Sequence, residues 1–122
     1  MEKIRKHHIS FKNALSGLVW ALRTQPNFKV HLLFSLIAII LGLFLKISYL
    51  EMIVIIFTIV LGLSAEMINT AIEEITDLVT KEWREEAKIA KDVSAGMMLL
   101  TAVGAALVGL LIFLPKILDI IL

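Results

Sequence analysis

The chain has 122 residues, 59% of them hydrophobic and 19% charged, with a mean hydropathy of +0.92 and a formal net charge of +1. One water-soluble core of this size cannot hide so much apolar surface, which excludes a soluble globular domain and leaves a helical integral membrane protein. The absence of cysteine excludes disulfides and thiolate metal sites, and the charge carries information only through its distribution.

Residues 9–24 are expected to form an amphipathic helix lying on the membrane. Phe11, Leu15, Leu18 and Leu22 recur at helical spacing, with Lys12 and Arg23 placed to reach lipid phosphates. The same stripe fits a helix packed on the rest of the protein, because amphipathicity does not name its apolar partner. His7 and His8 are neighbours that face different ways on a helix, as solvated residues do. Pro26 should break this helix before the first span.

Three uncharged runs follow, at 32–45, 52–65 and 95–114. The last can cross a hydrocarbon core of about 30 Å unaided, and the first two extend to full spans if their polar flanks lie at the interface. The expected spans are therefore about 28–50, 51–79 and 92–115, the first two joined by a hairpin turning around residues 46–51. No small-residue cleavage site follows the first run, so the first span is expected to be retained. The charged stretch KEWREEAKIAKD between the second and third spans fits helix or loop equally. Trp20, Tyr49 and Trp83 fall near the expected interfaces. In the third span Ala102 with Ala106, and Ala105 with Gly109, are small-residue pairs that permit close helix packing. Gly104 and Gly109 share the glycine spacing of a phosphate loop, but Leu110 and Leu111 stand where Lys and Ser or Thr would be needed.

Ten of the twelve Lys and Arg residues precede the first span or lie between the second and third; only Lys46 and Lys116 fall on the other side. The positive-inside bias predicts a cytoplasmic N-terminus and 80s segment, with the C-terminus external.

The second span ends in a polar stripe. Glu66, Asn69, Glu73 and Asp77 fall within an arc of roughly 80° on an α-helix. No cation stands among residues 52–65 to compensate them, so a bound metal or a cationic partner is called for. Glu66 lies about 22 Å along the helix from Glu51, near the cytoplasmic edge of the hydrocarbon, and the other three step outward toward water. A lipid could present its polar head at Glu66 while an anionic cosubstrate, bridged by Mg²⁺, approaches Glu73 and Asp77. Lys91 and Asp92 reach a similar depth if the intervening segment folds back. A base, carboxylates suited to Mg²⁺, an amide and a lysine are what phosphoryl transfer to an alcohol requires. A proton- or cation-coupled transporter subunit would also explain Glu66, but gives no reason for the rest of the stripe. A solvated helix end would explain Glu73, Glu74 and Asp77, but not the depth of Glu66.

The run AEMINTAIEEITD resembles the signature of the small prokaryotic integral-membrane diacylglycerol kinase family at Glu66, Asn69, Thr70, Ala71, Ile72, Glu73 and Asp77. The likeness extends to Ala90, Lys91 and Asp92, to the small residues after them, and to Asn27, Phe28, Lys29 and His31 at the entry to the first span. It implies one membrane kinase domain over residues 1–122: a surface helix and three transmembrane helices per subunit, assembled as a homotrimer with active sites between subunits. It further implies MgATP as phosphate donor and a lipid alcohol as acceptor. Glu66 would be the general base, Glu73 a Mg²⁺ ligand, and Asn69, Glu73, Asp77, Lys91 and Asp92 the nucleotide site. The entry to the first span and the ending at Phe113 to Lys116 look most like the family's Gram-positive members, which favours undecaprenol over diacylglycerol as acceptor. In one respect the chain departs from the family: Gln25, followed by Pro26, stands where a metal-holding glutamate is usual. Its amide oxygen can bind a divalent ion but brings no charge.

Overall fold

The computed structural model describes the backbone of residues 1–122 and every side chain except those of residues 5–9. The expectations for the Arg5, Lys6, His7 and His8 side chains therefore lie outside the described residues. The described residues form the helices α1 (Glu2–Thr24), α2 (Pro26–Phe44), α3 (Tyr49–Val79) and α4 (Glu85–Ile121). The last three are long and apolar enough to cross a membrane.

Helix α1 begins at Glu2, about two turns before residue 9, with an acidic residue in its first turn where the helix dipole favours one. Phe11 and Leu15 stay 75% and 53% exposed, so these residues of the apolar stripe are not covered by this chain, and among the described side chains of α1 only Ala21 is buried. Gln25 takes an extended conformation (φ −104°, ψ 107°), and α2 starts on Pro26, whose missing N–H costs nothing in a first turn.

The α2–α3 turn is a Schellman closure. The amide of Lys46 donates to the Leu43 carbonyl and that of Ile47 to the Gly42 carbonyl, at 3.2 and 3.1 Å, while Lys46 adopts φ 52°. This ends α2 at Phe44, short of residue 50. Gly42 is buried because Ile47 and Met52 fold back over it; a Cβ there would lie 2.9 Å from Ile47 Cδ1 and 3.1 Å from Met52 Cε. Ser48 then caps α3 in a reciprocal box, its hydroxyl accepting from the Glu51 amide at 3.1 Å while Glu51 accepts from the Ser48 amide at 2.7 Å. The same Glu51 carboxylate lies 3.2 Å from Lys116 Nζ of α4 and ties the two helix ends together.

Helix α3 packs mainly on α4 and secondarily on α2, both antiparallel to it. Its buried residues, Ile55, Ala65, Glu66, Asn69 and Thr70, recur at helical spacing and include half of the polar stripe. After Val79 the chain breaks helix: Thr80 and Arg84 are extended, and the Thr80 hydroxyl accepts from the Glu82 amide at 3.1 Å. Helix α4 therefore starts at Glu85 rather than near 92, with Glu85 and Glu86 in the turn where acidic side chains suit the dipole. It also runs through Pro115 to Ile121 instead of ending there.

Because Gly42 is covered by flexible side-chain tips, Gly42→Ala should be nearly neutral. Gly42→Leu should displace Ile47 and Met52 and destabilise by about 1–3 kcal/mol, read as a lowered Tm of the detergent-solubilised protein.

Candidate active site

The four stripe residues come from α3, and their exposure rises along the helix as the sequence requires. Glu66 is 3% exposed and Asn69 7%, Glu73 is half-buried, and Asp77 retains 52% of its side-chain surface. The stripe runs from the apolar interior outward.

Each member of the stripe is met differently. Opposite Glu66 stands His31 of α2, its Nε2 3.8 Å from Glu66 Oε2. Phe28, His31, Ser35 and Gly42 share the inward face of α2, which is why a residue two turns into that helix reaches the carboxylate. Asn69 has both ends of its amide occupied. Its Oδ1 accepts from the buried Ser94 hydroxyl of α4 at 2.5 Å, and its Nδ2 donates to Glu73 Oε1 at 3.2 Å. Asp77 pairs with Lys91 of α4 at 2.7 Å, so the 80s segment does fold back. Asp92 does not orient Lys91: one residue further on, it turns away and accepts from Lys88 at 2.5 Å. Gln25 stands at the α1–α2 junction, its amide donating to the Thr24 hydroxyl at 3.3 Å.

Glu73 accepts from the Asn69 amide and feels the charge of Lys91 without pairing with it. Among the described residues no ion pair reaches it, and no group of three His, Cys, Asp or Glu side chains converges as a metal cage. This donor set suits a hard cation that takes one or two protein carboxylates and fills its other positions with phosphate oxygens and water, the way Mg²⁺ usually binds.

Beyond the Asp77–Lys91 pair, between the end of α3 and the start of α4, lies an open cleft of about 420 Å³. Lys81, Arg84, Lys88 and Lys91 line it together with Asp77, Glu82 and Asp92, which pair with Lys91, Arg84 and Lys88. Four cations against three carboxylates leave a small positive excess at the water-facing end of an acidic stripe, a place where a polyanion can be met by several cations. Lys81, Arg84 and Lys88 are additions to the residues legible from sequence, as are Ser94 and the pairing of His31 with Glu66. Ser94 follows Lys91 by three residues and so shares its helix face, a signal too weak to stand out among the other small residues nearby.

A family model for prokaryotic diacylglycerol kinase matches residues 12–113, which contain every residue of this site. The chain is 41% identical over 108 residues to the undecaprenol kinase of Bacillus subtilis, an alignment spanning 88% of this chain and 87% of that protein. It is 37% identical over 112 residues to the diacylglycerol kinase of Synechocystis sp., spanning 91% of this chain and 64% of that protein. On this likeness, which takes in the stripe, its partners on α2 and α4 and the cleft beyond them, the chain belongs to the prokaryotic diacylglycerol kinase family.

Proposed function

We propose that the protein is a lipid kinase of the bacterial cell membrane that transfers the γ-phosphate of MgATP to the hydroxyl of a lipid alcohol, undecaprenol in preference to diacylglycerol. The observation that carries this reading is the geometry of the stripe: a carboxylate at 3% exposure at one end, and an Asp77–Lys91 pair opening on a basic cleft at the other. A lipid hydroxyl reaches the first from the bilayer, and a nucleotide reaches the second from water.

In this reading Glu66 takes the hydroxyl proton as the alcohol attacks the γ-phosphate. Lys91 meets phosphate oxygens and is held toward them by Asp77, while Lys88, set by Asp92, adds a second cation. Asn69 fixes the Glu73 carboxylate. Glu73 would hold Mg²⁺, with the Gln25 amide oxygen a weaker candidate ligand, and the ion when bound would offset the charge of the transferring phosphoryl group. The preference for undecaprenol is supported by the higher identity to the undecaprenol kinase and by the coverage of nearly its whole length.

The basic residues around the cleft and before α2 support an orientation with site and N-terminus cytoplasmic. Assembly as a homotrimer is supported by the surface that a single chain leaves open. The small residues Ala102, Ala105 and Ala106 of α4 are exposed, and Gly104 has nothing within 4 Å of where a Cβ would stand.

The direct test is transfer of labelled γ-phosphate from ATP with Mg²⁺ to undecaprenol or diacylglycerol by folded protein in lipid; transfer to neither would refute the reading. Glu66→Gln should abolish transfer, a loss of about 10²-fold or more, while ATP binding persists. Ser94→Ala leaves the Asn69 carbonyl buried without its donor, so it should cost about 1–3 kcal/mol of stability and raise the KM for ATP. Gln25→Glu should lower the Mg²⁺ concentration giving half-maximal rate, since a carboxylate adds the missing charge; an unchanged Mg²⁺ titration would remove Gln25 from the metal site.

A further inference from the structure

We propose that His31 is the positioning residue of Glu66 and the route by which the abstracted proton returns to water. The proposal rests on the reading of Glu66 as the base. Glu66 is enclosed at 3% exposure, so a proton taken up there has no direct path to solvent. The one ionisable group recorded against it across a helix interface, among the described residues, is His31, Nε2 to Oε2 at 3.8 Å. His31 itself keeps 32% of its side-chain surface, so its ring joins the buried carboxylate to the surface of the chain in the second turn of α2, near the end that the charge distribution places at the cytoplasmic interface.

The place of His31 is built into α2. Phe28, 5% exposed, anchors the same face one turn earlier, and the Ser35 hydroxyl donates to the His31 carbonyl at 2.6 Å one turn later. The separation of 3.8 Å is about 1 Å beyond a hydrogen bond, a gap that a small side-chain rotation or one bridging water closes. Imidazole is suited to this task because its ring nitrogens can both accept and donate a proton.

The step balances as follows. The O–H bond of the lipid alcohol breaks, its oxygen bonds to the γ-phosphorus, and the bond from that phosphorus to the bridging oxygen breaks to release ADP. The proton passes to the Glu66 carboxylate, then to the unprotonated Nε2 of His31, and from the imidazolium to water. Glu66 is thereby restored as a carboxylate for the next turnover.

The test uses the full chain in lipid with ATP, Mg²⁺ and undecaprenol, with folding confirmed by ATP binding. His31→Gln keeps a polar group facing Glu66 but cannot relay a proton; it should lower kcat about ten-fold or more and leave both KM values within about two-fold. His31→Asn serves as the second variant if His31→Gln does not fold. Added imidazole should restore turnover to His31→Ala and not to Glu66→Gln, a response that a purely structural role for the ring would not give. A kcat within two-fold of the unaltered protein, a defect confined to KM, or failure of imidazole to restore His31→Ala would each overturn the proposal. If instead Glu66→Gln remains active, it is the base assignment that fails, and the two failures are thus told apart.

Discussion

The hydrogen bond between Ser94 and Asn69 is the constraint on which the arrangement of α3 and α4 depends. It joins two buried side chains on different helices, in a region where apolar surfaces could slide past one another at little cost. An amide placed there has to be satisfied, and this register offers it the Ser94 hydroxyl of α4 while its N–H group serves Glu73 one turn on in α3. That register fixes what happens further out. From Asn69 to Asp77 is about 12 Å along α3, and from Ser94 back to Lys91 about 4.5 Å along α4. The difference is spanned because side chains lean toward the N-terminus of their own helix, so Asp77 leans inward and Lys91 outward until they meet at 2.7 Å. At the far end the same register brings Lys116 to the Glu51 that caps α3.

This arrangement also accounts for the break after Val79. A continuous helix through the 80s would carry Lys91 and Ser94 away from α3; five residues without helix, starting at Thr80, return α4 alongside it. Glu82 and Arg84 lie within this connection and pair at 3.6 Å, both largely exposed, a contact that contributes little to stability. The loop therefore serves mainly to set direction, and it places Lys81 and Arg84 at the rim of the cleft.

The polar stripe was legible in the sequence because a period of 3.6 residues is a property of one helix. Glu66, Asn69, Glu73 and Asp77 needed no partner to be recognised as a face. What belongs to two helices was not legible. Ser94 on Asn69, His31 on Glu66, and the exchange by which Lys91 takes Asp77 while Asp92 takes Lys88 all depend on register, which hydrophobic periodicity does not encode. The hairpin around residue 46 was legible, but the form of its closure was not: it uses a left-handed lysine where glycine would have signalled the end of α2, and the glycine lies instead at position 42, under the side chains of Ile47 and Met52. The start of α4 at Glu85 escaped because KEWREEAKIAKD holds no Gly or Pro and its break at Thr80 is enforced by tertiary pairing.

The three carboxylates of the stripe differ in what opposes their charge, and the difference orders the chemistry. Glu66, the most enclosed, faces an imidazole, a group that can be neutral or charged and so can follow a carboxylate through gain and loss of a proton. Asp77, the most exposed, faces the Lys91 ammonium at 2.7 Å, an ion pair that fixes the lysine at the edge of the cleft. Glu73 lies between them, accepting from the Asn69 amide and close enough to feel the Lys91 charge without pairing with it. In the proposed function Glu73 is the carboxylate that would hold Mg²⁺, and the ion's charge would then offset the carboxylate where no side chain pairs with it.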